Sequence, residues 1–127
     1  MRPMRLSTHL SALFVLLAPV NLYAATFYVS PTGSDNAEGT EIAPFATLQK
    51  ANNVASGGDT IYLRAGTYYN TSQITLTMSG SSDTNRTKIW AYPNEKPVLD
   101  CSKYVTTNKA ADVPCILVTG SFMHLKG

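Results

Sequence analysis

The stretch from Gly57 to Tyr68, Gly-Gly-Asp-Thr-Ile-Tyr-Leu-Arg-Ala-Gly-Thr-Tyr, limits the folds open to this chain more than any other. Gly57 and Gly58 can take the positive φ that ends a helix. Asp59 is a turn former whose carboxylate can bond nearby backbone. Thr60 to Arg64 alternates, with Ile61 and Leu63 on one face and Thr60, Tyr62 and Arg64 on the other, as a half-buried strand does. Ala65-Gly66 breaks the strand, and Thr67-Tyr68 resumes extended chain. A helix end, a turn, one short strand and another turn are how a stack of strands begins under a lid.

The lid lies just upstream. Thr47 is a good N-cap, and the pattern predicts a helix from Leu48 to Ala55. Leu48, Ala51, Val54 and Ala55 fall on one face, with Phe45 beside them. So short a helix is marginal alone. It is expected to lie across the apolar end of a sheet stack. Before it come a β-rich run, Thr26 to Ser30, and a loop of turn formers, Pro31 to Pro44. Asp35, Glu38 and Glu41 fall in that loop, but their spacing fits no EF-hand-like calcium loop, and they read as turn residues.

Downstream the chain offers only short strands: Gln73–Met78, Lys88–Tyr92, Pro97–Leu99, Ile116–Val118 and Phe122–Lys126. Ser79–Asn85, Pro93–Lys96 and Ser102–Asp112 are polar connections. Ile61, Ile89 and Ile116 recur at roughly 27-residue intervals, in the range of solenoid coils. Two-residue hairpin turns such as Asn-Gly are missing between the strands, which favours parallel coils over hairpins. A small β-sandwich is the competing fold.

Residues 1–24 have the form of a secretory leader: Arg2 and Arg5, an apolar run from Leu10 to Val20, and cleavage after Ala24. The run is too short to span a bilayer, so no membrane association is expected after cleavage. Of the ten basic residues, Arg2 and Arg5 leave with the leader, and eight basic then balance eight acidic residues. The remaining chain carries no basic stripe for nucleic acid. Cys101 and Cys115 are the only cysteines. In an exported chain they read as a disulfide closing a loop of about 15 residues, worth about 3 kcal/mol by chain entropy. Two buried free thiols are the alternative. A metal site is not indicated, because His124 stands alone in the exported part.

Three runs of residues carry a family resemblance. They are Phe27-Tyr28-Val29-Ser30-Pro31-Thr32-Gly33-Ser34-Asp35, Pro44-Phe45-Ala46-Thr47-Leu48-Gln49-Lys50-Ala51, and Gly58 through Tyr68. Together they resemble the opening of secreted right-handed parallel β-helix proteins, most closely the family 9 pectate lyases. Lys88-Ile89-Trp90-Ala91-Tyr92-Pro93, Pro97-Val98-Leu99-Asp100 and Ile116 to Gly127 agree with it. The resemblance implies an all-β fold: residues 25–127 form the N-terminal cap, with its short α-helix, and the first coils of the β-helix. It implies a truncated piece of a longer, monomeric protein, secreted or periplasmic, that cleaves polygalacturonate by calcium-assisted β-elimination. In that family an aspartate cluster holds calcium and a lysine acts as base, on coils downstream of the matched region. No catalytic residue, metal ligand or calcium site is therefore assigned here, and the chain alone is expected to be inactive. A glycan-binding β-helix surface protein without catalysis is the second reading.

Some local residues could still touch substrate. Arg64 is the substrate-binding candidate, since its planar fork matches a uronate carboxylate, although an outward arginine on a solvated sheet face is also ordinary. Tyr62, Tyr68, Tyr69, Trp90 and Tyr92 could stack on sugar rings or simply pack. Asp59 reads as a turn residue, His124 as structural, and Lys126 as a base only if burial lowered its pKa. Asn70-Thr71-Ser72 and Asn85-Arg86-Thr87 match the glycosylation pattern, relevant only in a eukaryotic secretory host.

Overall fold

The computed structural model describes residues 23–105 and 113–127. The leader expected over residues 1–24 lies outside them except for Tyr23 and Ala24, as does most of the polar excursion between the cysteines.

Eight short strands and one helix follow in the order β1 (Thr26–Val29), α1 (Leu48–Val54), β2 (Thr60–Leu63), β3 (Gly66–Tyr69), β4 (Ile74–Leu76), β5 (Thr87–Ala91), β6 (Pro97–Asp100), β7 (Ile116–Val118) and β8 (Met123–Lys126). Every ladder between them is parallel: β1-β2-β5-β8 in one sheet, β3-β6 in a second and β4-β7 in a third. Each turn of chain thus visits three sheets and returns one strand further along the first. This is the beginning of a right-handed parallel β-helix, and it excludes the sandwich, whose sheets would be antiparallel.

Alternation supplies the core. Ile61, Leu63, Ile74, Leu76 and Ile89 point inward and are buried, with Val29, Phe45, Leu48, Ala51, Tyr68 and Met78. Each such side chain contributes about 1.5–3 kcal/mol by leaving water. Register stacks like on like: Phe27 on Ile61, Ile61 on Ile89, and Ile89 on Leu125. Here the structure corrects one expectation. Ile116 does not continue the Ile61–Ile89 column; it lies on Ile74 in the third sheet. The excursion after Cys101 lengthens the second coil, so the third coil's equivalent of Ile89 is Leu125.

The cap covers the first coil's open strand edges. Val29 bridges to Phe45, and Tyr28 N–H donates to Gly39 O at 2.8 Å, so loop 31–45 closes the free edge of β1. Asp35 fixes that loop by accepting from Ala46 N and Thr47 N, both at 2.9 Å, and from Thr47 Oγ1 at 2.8 Å. Thr47 is the N-cap, accepting from Lys50 N at 3.1 Å.

The helix ends one residue early, with Ala55 as C-cap, and its buried face differs from the apolar pattern. Val54 is 43% exposed, whereas Asn52 is buried. The reason lies in the neighbouring strand. Gln49 accepts from Thr75 N at 2.8 Å and donates to Thr75 O at 3.3 Å, while Asn52 accepts from Thr77 N at 3.0 Å. Two amide side chains imitate a missing strand along the edge of β4, which would otherwise offer unpaired backbone to other chains. At the opposite end Leu125 and Val118 are exposed, and Leu63, Leu76, Ile89, Leu99, Ile116 and Leu125 line an apolar opening of about 260 Å³.

Cys101 and Cys115 are joined in a disulfide, Cα–Cα 6.2 Å, linking the end of β6 to the start of β7.

Candidate functional site

The outward positions of the four-stranded sheet converge on one face. Parallel register places Tyr28 beside Tyr62 and Tyr62 beside Trp90. Tyr28 and Tyr62 stack with centroids 5.8 Å apart, and Trp90 meets Tyr62 edge-on at 6.3 Å. Tyr92 closes on Tyr62 at 5.6 Å, and His124 on Trp90 at 5.5 Å. Each such contact adds about 0.5–1.5 kcal/mol beyond burial, so the ladder stabilises the coils as well as offering rings to a ligand.

Cations gather around it. Lys88 Nζ and Lys126 Nζ each lie 5.8 Å from the Trp90 ring centroid. Among the described residues, the ion pairs are Arg64–Glu95 and Arg86–Asp83, and neither lysine belongs to one. Trp90 Nε1 is buried with no hydrogen-bond partner among the described groups. Tyr62, Trp90, Tyr92, Asn94, Glu95 and Lys126 border a groove of about 370 Å³.

Arg64 lies against two residues of the groove, Tyr92 and Glu95, and one edge of its fork is engaged. Nε donates to Glu95 at 2.9 Å and Nη2 at 2.8 Å, and the guanidinium lies 4.4 Å from the Tyr92 centroid. Glu95 also accepts from Ala65 N at 2.6 Å. The Arg64 bond holds the Glu95 carboxyl below the usual range, with the Ala65 bond next in effect, and the same partner raises Arg64. The Tyr92 hydroxyl donates to Glu41 at 2.7 Å, and that bond raises the Tyr92 phenol. Arg64 thus holds the Pro93–Glu95 turn through its Nε–Nη2 edge, which leaves Nη1 and the second Nη2 proton as the edge that could meet a carboxylate.

The remaining sequence candidates disperse. Tyr68 faces the core, its hydroxyl oxygen 2.8 Å from both Val29 O and Arg64 O, and burial pushes its phenol up to about 12. Tyr69 is exposed on the second sheet beside Lys103. Asp59 is buried, with one oxygen on Ala25 N and the other on Ser56 N, both at 2.7 Å. Sequence reasoning missed Tyr28 and Lys88 as members of the face. Lys88 shares the outward face of β5 with Trp90, two residues on, whereas parallel register is what brings Tyr28 to Tyr62.

Among the described residues no three of His, Cys, Asp and Glu cluster as a metal site. Asp35 spends its oxygens on Ala46 N, Thr47 N and Thr47 Oγ1, Asp59 on Ala25 N and Ser56 N, and Glu95 on Arg64 and Ala65 N. These carboxylates do not fit a calcium site, and no chemical step can be written through them.

The family described as "Pel9A-like, right handed beta helix region" matches residues 27–127. The chain is 46% identical over 113 residues to pectate lyase PEL9 of Emericella nidulans, covering 89% of this chain and 27% of that protein. A solved rhamnogalacturonan lyase superposes with a TM-score of 0.69 at 30% identity, over 82% of this chain and 28% of the other. A glycoside hydrolase matches at a TM-score of 0.55 and 31% identity, over 60% of this chain and 15% of the other. The chain therefore spans a little over a quarter of the length of PEL9 and of the rhamnogalacturonan lyase.

Proposed function

The chain belongs to the Pel9A-like right-handed β-helix family, and from that premise we propose that it is the N-terminal part of a polysaccharide lyase acting on polygalacturonate. The observation that carries this reading is the 46% identity to a pectate lyase across nearly the whole chain. Residues 1–24 serve as an export leader cleaved after Ala24, residues 25–127 as the cap and first coils, and the protein works outside the cytoplasm as a monomer. Its reaction is β-elimination, in which calcium would offset the uronate carboxylate: a base takes the proton on the carbon beside the carboxylate, a C=C bond forms as the glycosidic C–O bond breaks, and the leaving oxygen takes up a proton. No described residue is assigned to the ion or to the base.

Within this chain the groove beside Trp90 is the part suited to the polysaccharide. Lys88 and Lys126 offer charge to uronate carboxylates, and the rings of Tyr62, Trp90 and Tyr92 offer apolar faces to sugars. The same groove favours the second reading, a glycan-binding β-helix without catalysis.

A product assay separates them, and a binding assay tests the groove. The whole natural protein should release unsaturated uronides from polygalacturonate and stop when calcium is chelated, whereas residues 25–127 alone should release none. Product from the short chain, or none from the whole protein with calcium, refutes the lyase reading as stated. Replacing Lys88 and Lys126 together by Gln should weaken polygalacturonate binding several-fold at low salt and leave neutral glycans unaffected; unchanged binding removes the groove from the account.

A further inference from the structure

We propose that cleavage after Ala24 completes the fold: the new α-ammonium of Ala25 docks on the buried Asp59 carboxylate as an internal ion pair. This rests on the export-leader reading above and goes beyond it.

The geometry is in place before any cut. Ala25 N donates to Asp59 Oδ1 at 2.7 Å, and Thr60 N donates to Ala25 O at 2.9 Å. Ala25 therefore already lies in the ladder that continues as Thr26 on Thr60. The other carboxylate oxygen takes Ser56 N at 2.7 Å, just past the end of α1, and Asp59 O accepts from Lys88 N at 2.9 Å. One side chain thus holds the start of β1, the end of the helix and the turn into β2, while its backbone reaches β5.

The charge is what is missing. Asp59 is 7% exposed, and among the described residues no cation is paired with it. A buried carboxylate served only by neutral donors is costly, and buried charges are ordinarily paired. The atom that already donates to Oδ1 is the one that cleavage would charge. Hydrolysis of the Ala24–Ala25 amide by a leader peptidase consumes one water. It leaves a carboxylate on Ala24 and an amine on Ala25 that is protonated at neutral pH. The bond already has a charged acceptor; cleavage gives it a charged donor as well and turns it into an ion pair without any movement. The bond to be cut is reachable: Tyr23 is 85% exposed and Ala24 is exposed, beside an open cavity of about 440 Å³ bordered by Val54, Ser56, Gly57 and Asn85. The amine's two further protons can point into that cavity.

The test begins with N-terminal sequencing of the natural exported protein, expected to begin at Ala25. Hydrogen exchange at the Ser56 and Thr60 amides is then compared in five forms of that protein. These are the Ala25-start form, the same form acetylated on its α-amine, a form extended by one glycine before Ala25, and Asp59→Asn with a free and with an acetylated α-amine. The Ala25-start form should exchange about tenfold more slowly at both amides than the acetylated or extended forms. Asp59→Asn should abolish the gap between free and acetylated termini. A start at Met1 overturns the leader reading and this inference together, and a start at any other residue than Ala25 overturns this inference alone. A start at Ala25 with equal exchange in free, acetylated and extended forms overturns the ion pair alone. The acetylated and extended forms keep Asp59, so the test survives if Asp59→Asn does not fold.

Discussion

Thr87 lies at 0% exposure in the first residue of β5, and its Oγ1 accepts from Gly58 N at 3.1 Å. Gly58 is buried, in the left-handed region with φ +93°, where only glycine sits without strain. The bond therefore ties the helix-ending turn of the first coil to the second coil. Thr87→Val keeps the shape and removes the acceptor. No cavity opens, so the cost is that of a buried N–H left unpaired, about 1–3 kcal/mol. Thr87→Ser keeps the acceptor and loses a methyl group, about 0.5–1.5 kcal/mol by analogy with Ile→Val. The ranges overlap, so global stability alone does not separate the two mechanisms; the Gly58 amide does. Native-state exchange followed by NMR should show Gly58 opening about tenfold faster or more in the Val variant and near wild type in Ser, after correction for global stability. In thermal melts a loss of 1 kcal/mol is expected to lower the midpoint by about 4–8 °C in a domain of this size. A Val variant with wild-type protection at Gly58 would refute the argument that this bond is what links the coils there.

Two further predictions come from the pairs. Because Glu95 is held below the ordinary glutamate range by Arg64, its contribution is fully present above the unfolded value, about 4.3, and is lost as pH falls through the lower folded value. Acid titration of stability should therefore fall more steeply below about pH 4 in the wild type than in Glu95→Gln, and equal slopes would show the pair to be energetically silent. Removing the Cys101–Cys115 bond, whose partners are 14 residues apart, should cost about 3 kcal/mol in denaturant unfolding; an unchanged midpoint after reduction would mean that β6 and β7 hold the loop unaided.

Strands β2, β4 and β5 were legible from alternation: Thr60–Leu63 shows half-buried and buried positions in turn, as its residues imply. The helix was legible from Thr47 and the glycines after it, but its buried face was not. Asn52 reads as a solvent residue until β4 supplies Thr77 as its partner, and Val54 reads as core until the helix rolls to bring Gln49 and Asn52 onto that strand. Asp35 and Asp59 both read as turn formers. Each in fact accepts backbone bonds from distant residues, eleven and thirty-four positions away, which local pattern cannot report. Of the candidate face, Tyr62, Trp90 and Tyr92 were visible as aromatics on strands. Their assembly with Tyr28, Lys88, His124 and Lys126 was not.

The sequence by itself determined where the chain turns, which side of each strand is apolar and that short strands repeat. These depend on φ preferences and on a two-residue period, both local properties. Tertiary structure alone decided which repeats align. Coil length is a sum over loops, and the longer second coil moves Leu125, not Ile116, onto Ile89. Register across coils then settles what stands beside what: two lysines around one tryptophan, Arg64 against Glu95, and a buried carboxylate against the backbone nitrogen of Ala25. Lys88 meets Trp90 by the two-residue period of one strand; the other neighbours come from different coils, and no local rule of the chain encodes their meeting.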